Sequence, residues 1–407
     1  MKNQIFAFFG AVVLAGCCCT NCPVDSGTTY VKDALQPFVD KGELPGAITI
    51  IYNNGVQETS CVGYADVAKK RPITLDDHYM QCSQTKGFCG VTIAKLVEEG
   101  KLNLDDPVSK YLPEFAKDIW ISGAVTSNSW TVSKAKTPIT VRMCLNHTAG
   151  FPFELPNWVE MGGWSRRMPL RSVAATAAGQ AISFEPGTRE QYSNVGIDVG
   201  AAVVEVITGM RWEDYLKKTV LDPLGMKDSG FWPCEKWLET KIEMYSCVKG
   251  KPAEWREFNP AMNKPYGDDR VFSSAGAGLW TTARDQLKFY KMLMNLGVGD
   301  NGVRILKEET VKNLLAVSSR PDNLGGYSLG LAAPKKAQDG EKAWFGHGGA
   351  WGTNCEVNWR KKQLKFHVVQ LVGDPRPWNA HLWSAYEKFF SEVSPDSGVK
   401  SYTGRMK

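Results

Sequence analysis

Apolar positions change period several times over the first hundred residues. After Lys2 comes an unbroken apolar run from Ile5 to Ala15, eleven residues long. That is short of the roughly 20 residues a membrane-spanning helix needs, but it suits the core of a signal peptide. Residues 30–42 then place Val31, Ala34, Leu35 and Phe38 on one side at helical spacing. Gly46 to Tyr52 is strand-like, and Val56 to Tyr64 is its return strand. Asn53-Asn54-Gly55 between them is a hairpin turn, because Asn-Gly adopts positive φ easily. A helical pattern starts again at Ser83 and runs to Glu99-Gly100.

From Leu102 to about Leu296 the chain reads as helical segments and long loops, with few alternating runs. Leu104 to Pro113 is a short helix bracketed by prolines, and Thr140 to Leu145 begins another that closes at Asn146-His147-Thr148-Ala149-Gly150. Val195 to Thr208 is apolar almost all round, as a helix buried in a core should be. Thr282 and Asp285 have capping-box spacing and open a helix that runs to about Leu296. Strands return at Lys342–His347, Cys355–Trp359 and Leu364–Val372, and Trp383–Val393 is a closing amphipathic helix. Strands at both ends around a helical middle predict an α+β fold. Its antiparallel sheet is built from both termini, flanked by helices, with a mainly helical domain inserted. The expected divisions are a leader at 1–16, a tether at 17–29, a sheet domain from 30–101 and 297–395, the helical domain at 102–296 and a polar tail at 396–407.

Composition narrows the partners. The 407 residues carry a formal net charge of +5 with 22% charged residues and no dense Lys/Arg run, so nucleic acid is not expected as a partner. The fourteen Trp residues are read chiefly as packing residues, with a lining for an apolar cleft as the alternative. The leader ends in Leu14-Ala15-Gly16-Cys17, which resembles the lipobox of bacterial lipoproteins. That likeness implies cleavage before Cys17, a lipid on its thiol, and an exported protein anchored to a bacterial membrane. The other ten cysteines have no pairing that spacing can decide. Only five His accompany them, so the Cys17–Cys22 tract is not read as a metal site.

Three stretches carry candidate chemistry. Ser83-Gln84-Thr85-Lys86 puts a hydroxyl and an amine one helical turn apart. Burial beside the serine lowers a lysine's pKa, so that its neutral amine can take the serine proton. Ser-x-x-Lys alone is weak: Ser133/Lys136, Ser246/Lys249 and Ser397/Lys400 share the spacing, but only Ser83 heads a long apolar helix. Tyr192-Ser193-Asn194 follows a Pro-Gly loop and precedes the buried helix. Tyr192 is a candidate proton shuttle whose phenolate a nearby ammonium would favour, and Asn194 offers an amide to a substrate. His347-Gly348-Gly349-Ala350 is glycine-dense, so a backbone edge there can approach a substrate closely, as in an oxyanion hole.

Taken in order, Ser-x-x-Lys, Tyr-x-Asn and His-x-Gly resemble the serine β-lactamase and penicillin-binding-protein-like hydrolases, in the branch of class C β-lactamases, DD-peptidases and related esterases. LVEEGKLNLDDPVSKYLPEF, LNHTAGF, FEPGTREQYSNVG, LGMKDSGF and AGAGLWTTARDQLKFY look like the same family. The resemblance implies a β-lactamase/transpeptidase-like fold, Ser83 as nucleophile, Lys86 as its activator and Tyr192 as general acid/base. Asn194, His347, Gly349 and Ala350 would bind substrate, with the N–H groups of Ser83 and Ala350 as the oxyanion hole. No metal or other cofactor is expected. The implied substrate is a small ester, amide or peptide, cell-wall derived in some members. His347 and Gly348 stand where many members carry lysine and a hydroxyl residue, which favours an esterase or D-amino-acid peptidase over a β-lactamase. The alternative is a penicillin- or peptidoglycan-binding lipoprotein of the same fold that acylates slowly or not at all.

Overall fold

The computed structural model describes residues 23–125, 129–156, 168–248, 251–257, 271–319, 326–334 and 343–393. The leader, Cys17 and the polar tail lie outside them. Helix α1 (Tyr30–Asp40) precedes the hairpin of β1 (Gly46–Asn53) and β2 (Val56–Asp66). Asn54 and Gly55 make its turn with φ of 43° and 103°, which is why Asn-Gly serves there. Helix α2 (Thr85–Glu98) follows, then α3 (Asn194–Thr208) and α4 (Ala283–Met294). The chain closes with β3 (Trp344–Gly349), β4 (Thr353–Asn358), β5 (Gln363–Val368) and α5 (Trp378–Glu392).

Strand β5 lies antiparallel beside β1, with Gln363 opposite Asn53 and Val368 opposite Ile48, so the two ends of the chain do share one sheet. Its core order is β2-β1-β5-β4-β3, extended by short strands at both edges. One of these is Val24–Asp25, inside the segment read as a tether, which pairs parallel with Val56 and Gln57. Alternation along β1 explains the layers. Ala47 and Ile51 pack with Val31 and Leu35 of α1 and with Leu382 and Phe389 of α5. Ile48 and Ile50 belong to the larger core with Phe88 of α2 and Phe289 of α4. That core continues without a break into Val195–Val204 of α3, so α2 is wedged between the sheet and the helical region.

The remaining elements show where periodicity misleads. Helix α5 starts at Trp378, five residues before the apolar pattern suggests, with Pro377 as its N-cap. At α4, Thr282 accepts a bond from Asp285 N–H, but the Asp285 carboxylate does not return it. It accepts instead from Asp228 N–H at 2.7 Å and the Ser229 hydroxyl at 3.0 Å, so only half of a capping box forms. Leu104–Pro113 yields only a 3₁₀ turn at Val108–Lys110, and a second follows at Pro113–Ala116. Two hairpins, Trp120–Val125 with Trp130–Lys134 and Tyr245–Val248 with Lys251–Glu257, interrupt the region read as mainly helical. Trp130–Lys134 is exposed along its whole length, so it has no buried face to print an alternating pattern. Trp212, Trp280 and Trp378 are fully buried packing residues, while Trp120 and Trp130 are exposed. The seven cysteines among the described residues are unpaired thiols. No helix among the described residues is long and apolar enough to cross a membrane.

Candidate active site

Ser83 does not begin the α-helix itself. It sits in a 3₁₀ turn, Cys82–Gln84, that leads into α2. The chain arrives on a short strand, His78–Met80, and reverses at Cys82, whose φ of 53° lies in the left-handed region. Buried polar groups hold this strained turn. Thr85 Oγ1 donates to Cys82 O at 2.7 Å and accepts from Leu279 N–H at 3.2 Å. Gln286 of α4 donates to Gln81 Oε1 at 2.8 Å and also reaches Gln84. The result is a half-buried Ser83 on a rigid mount.

Lys86 lies one turn on and is 0% exposed. Its Nζ is 3.1 Å from Ser83 Oγ, 2.5 Å from Asn194 Oδ1 and 2.6 Å from Gly276 O. Burial lowers its pKa to about 7, against the opposing pull of Asp198 and Glu154. A neutral amine has two N–H bonds and one lone pair. Asn194 Oδ1 and Gly276 O accept the two N–H bonds, which leaves the lone pair for the Ser83 hydroxyl. Of the three Ser-x-x-Lys serines among the described residues this alone is helical; Ser133 and Ser246 lie in strands, and Ser397 is outside the described residues.

Asn194 is itself held. Its Nδ2 donates to Glu154 Oε1 at 2.5 Å, which fixes the amide with its oxygen toward Lys86. With both ends engaged and the residue buried, it positions Lys86. Gly276 comes equally close: a Cβ there would lie 2.8 Å from Asn194 Oδ1, and its N–H donates to Asp198 at 3.1 Å. Glu154, Asp198 and Gly276 had no role in the sequence reading; the glycine-alternating AGAG run was the one visible hint of the last.

Tyr192 brings its ring over Lys86, with Nζ 4.6 Å from the centroid. Burial raises its pKa, and the Ser83 hydroxyl only partly opposes that. The phenolate expected from the sequence is therefore replaced by a neutral phenol, because desolvation outweighs the nearby amine. His347 is on β3, 6.0 Å from Tyr192 between ring centroids, and burial drops its pKa to about 3. Gly349 has a packing reason to be glycine: a Cβ would lie 2.1 Å from Thr353 Oγ1 and 2.4 Å from Gln81 O. The strand end thus closes on the nucleophile turn, with the backbone of Ala350 and Trp351 beside Cys82. Ala350 is exposed at the turn after β3.

This arrangement joins a buried Ser-Lys pair, a tyrosine and a glycine-rich strand edge on a sheet built from both termini. The sequence profile of the β-lactamase family matches residues 31–362. The chain belongs to the β-lactamase family. A Mycobacterium tuberculosis relative, "Uncharacterized protein MT1414", is 29% identical over 329 residues, 80% of this chain and 77% of that one. EstCE1, described as a hydrolase with promiscuous acyltransferase activity, superposes with a TM-score of 0.72 at 21% identity, covering 89% of this chain and 98% of its own. Simvastatin synthase LovD from Aspergillus terreus does so with a TM-score of 0.73 at 20% identity, with the same two coverages, 89% and 98%. At such identities the two structures establish the β-lactamase/transpeptidase-like fold, shared by hydrolases and acyltransferases of this family.

Proposed function

We propose that this β-lactamase-family protein is a serine hydrolase that cleaves esters, and secondarily amides or peptides, through an acyl-Ser83 intermediate. The observation that carries this is Lys86 Nζ at 3.1 Å from Ser83 Oγ, in a dry setting that lowers the amine's pKa to about 7. Neutral Lys86 takes the Ser83 proton as Oγ attacks the carbonyl carbon. The N–H groups of Ser83 and Ala350 stabilise the oxyanion. Neutral Tyr192 gives its proton to the leaving oxygen and regains one from the Lys86 ammonium. Water, deprotonated through the same pair, then releases the acid and restores the Ser83 hydroxyl. The protein is also proposed to be exported and lipid-anchored at Cys17, on the strength of the Leu14-Ala15-Gly16-Cys17 sequence.

The test reacts the purified protein and Ser83→Ala with a fluorophosphonate and a fluorescent β-lactam, then measures turnover of p-nitrophenyl esters and nitrocefin. Labelling and ester turnover that both require Ser83 support the reading, with esters preferred over the lactam. Ser83-dependent labelling without turnover would instead indicate the slowly acylating penicillin- or peptidoglycan-binding lipoprotein. Incorporation of a fatty-acid probe that is lost in Cys17→Ser tests the anchor separately.

A further inference from the structure

Beside the Ser83–Lys86 pair, four rings form one cluster. His147 lies 4.6 Å from Tyr192 and 4.5 Å from Tyr327 between centroids, and His347 lies 6.0 Å and 5.6 Å from the same two. Hydrogen bonds to the backbone fix both histidine tautomers. Ser193 N–H donates to His147 Nδ1 at 3.2 Å, so the neutral ring carries its hydrogen on Nε2. His347 Nδ1 is 2.5 Å from Gly348 O, an acceptor, so Nδ1 holds the hydrogen and Nε2 is a bare lone pair. Both rings are neutral: burial and Lys86 push the His147 pKa well below its ordinary value, and that of His347 down to about 3.

The two Nε2 atoms are buried without hydrogen-bond partners among the described residues, and His147 and His347 are only 1% and 6% exposed. Orphaned polar atoms of this kind are uncommon in folded proteins, because burial without a partner is destabilising. Here one is a donor and the other an acceptor, beside the same two tyrosines. The charges nearby favour no anion. Among the described residues Lys86 is the basic group acting on His347, and its bonds with Ser83, Asn194 and Gly276 occupy it. Glu190 acts on Tyr327, and Glu154 holds Asn194.

We propose that His147 and His347 form a neutral donor–acceptor subsite that selects substrates carrying a carboxamide near the scissile ester or amide bond. The substrate carbonyl accepts from His147 Nε2–H, and its N–H donates to His347 Nε2. A carboxylate, which can only accept, would face the His347 lone pair. This rests on the serine-hydrolase reading above and specifies its substrate class.

The test compares p-nitrophenyl esters of one acyl chain, adipoyl, whose far end is a primary amide, a carboxylate, or a methyl ketone of the same shape. The amide is expected to exceed the other two in kcat/KM by about tenfold or more, the size of a satisfied against an unsatisfied buried hydrogen bond. His347→Phe should erase the advantage of amide over ketone while Ser83 still labels with fluorophosphonate. His347→Lys should turn the preference toward the carboxylate. Equal rates for the amide and carboxylate esters in the wild-type protein overturn the proposal, whatever the variants do. An amide preference that persists in a labelling-competent His347→Phe overturns it too. Ser83-dependent labelling with no selectivity removes only this subsite, whereas absence of labelling removes the hydrolase reading and the subsite with it.

Discussion

Asn194 donates through Nδ2 to Glu154 Oε1 at 2.5 Å, and this bond sets the orientation of the amide whose oxygen Lys86 meets. Glu154 therefore acts on the nucleophile through two intermediaries. Its charge also raises the Lys86 pKa, against the larger effect of burial. Glu154→Gln keeps a side chain of the same shape but removes that charge. The ascending limb of the kcat/KM–pH profile should move to lower pH, with activity at the plateau reduced by no more than about tenfold, the scale of one charged hydrogen bond. A limb that stays in place or moves upward would show that Glu154 does not bear on Lys86.

The unsubstituted protein should itself show one ascending limb. Lys86 must be neutral to accept the Ser83 proton, so kcat/KM on a neutral ester falls as pH drops below about 7. Neither His347 nor Tyr192 titrates nearby: burial pushes the first down to about 3 and the second upward. The stability consequence has the same direction. Between about 7 and the ordinary lysine value of 10.5 the unfolded chain binds a proton that native Lys86 does not. This residue's contribution to stability therefore rises with pH across that interval and is least favourable below it. A rate profile flat from pH 5 to 9 would remove Lys86 as the base.

Tyr192→Phe separates proton transfer from packing. The ring stays over Lys86 and against His147, so the fold and fluorophosphonate labelling should persist. Loss of the phenol proton should lower kcat/KM by about 10²–10⁴-fold, the usual range for a general acid. The loss should be greatest for alkyl esters, whose alkoxide needs a proton to leave, and least for p-nitrophenyl esters. Equal losses across leaving groups would assign Tyr192 to binding instead.

Much of this was legible in the chain because it depends on local pattern. Ser83 and Lys86 meet through helical spacing alone. Asn54-Gly55 dictates its turn, and β5 alternates Leu364, Phe366 and Val368 of the larger core with Gln363, Lys365 and His367. What could not be read depends on contact between distant segments. Glu154, Asp198 and Gly276 converge on Lys86 and Asn194 from three separate parts of the chain, with no spacing rule to announce them. The protonation of Tyr192 could not be read either, because its neighbour Lys86 was visible while its burial was not. The hairpin at Trp130–Lys134 escaped for the opposite reason: with every residue exposed, nothing constrains its pattern.

The mount beneath the nucleophile offers a final test at Gly90, in the middle of α2. An alanine in a helix interior is ordinarily about 0.5–1 kcal/mol more favourable than glycine. Here a Cβ would lie 1.8 Å from Leu329 O, a backbone atom with no rotamer by which to move aside. The loop it belongs to is itself held, since Gly330 N–H donates to Leu145 O at 3.1 Å and Ser328 donates to Leu315 O at 2.7 Å. Gly90→Ala should therefore reverse the usual sign and lower the stability read from urea denaturation by about 1–3 kcal/mol or more. Relief by outward movement of the loop would carry Tyr327 away from His147 and His347, so activity should fall in the fraction that remains folded. Gly179→Ala is the control. Its Cβ would meet only Thr176 O at 3.5 Å, an ordinary contact, at a residue whose φ is already negative. It should leave stability unchanged or raise it by up to about 1 kcal/mol. A Gly90→Ala protein as stable as the wild type would mean that α2 and the Leu329 loop are not packed against each other as closely as the site requires.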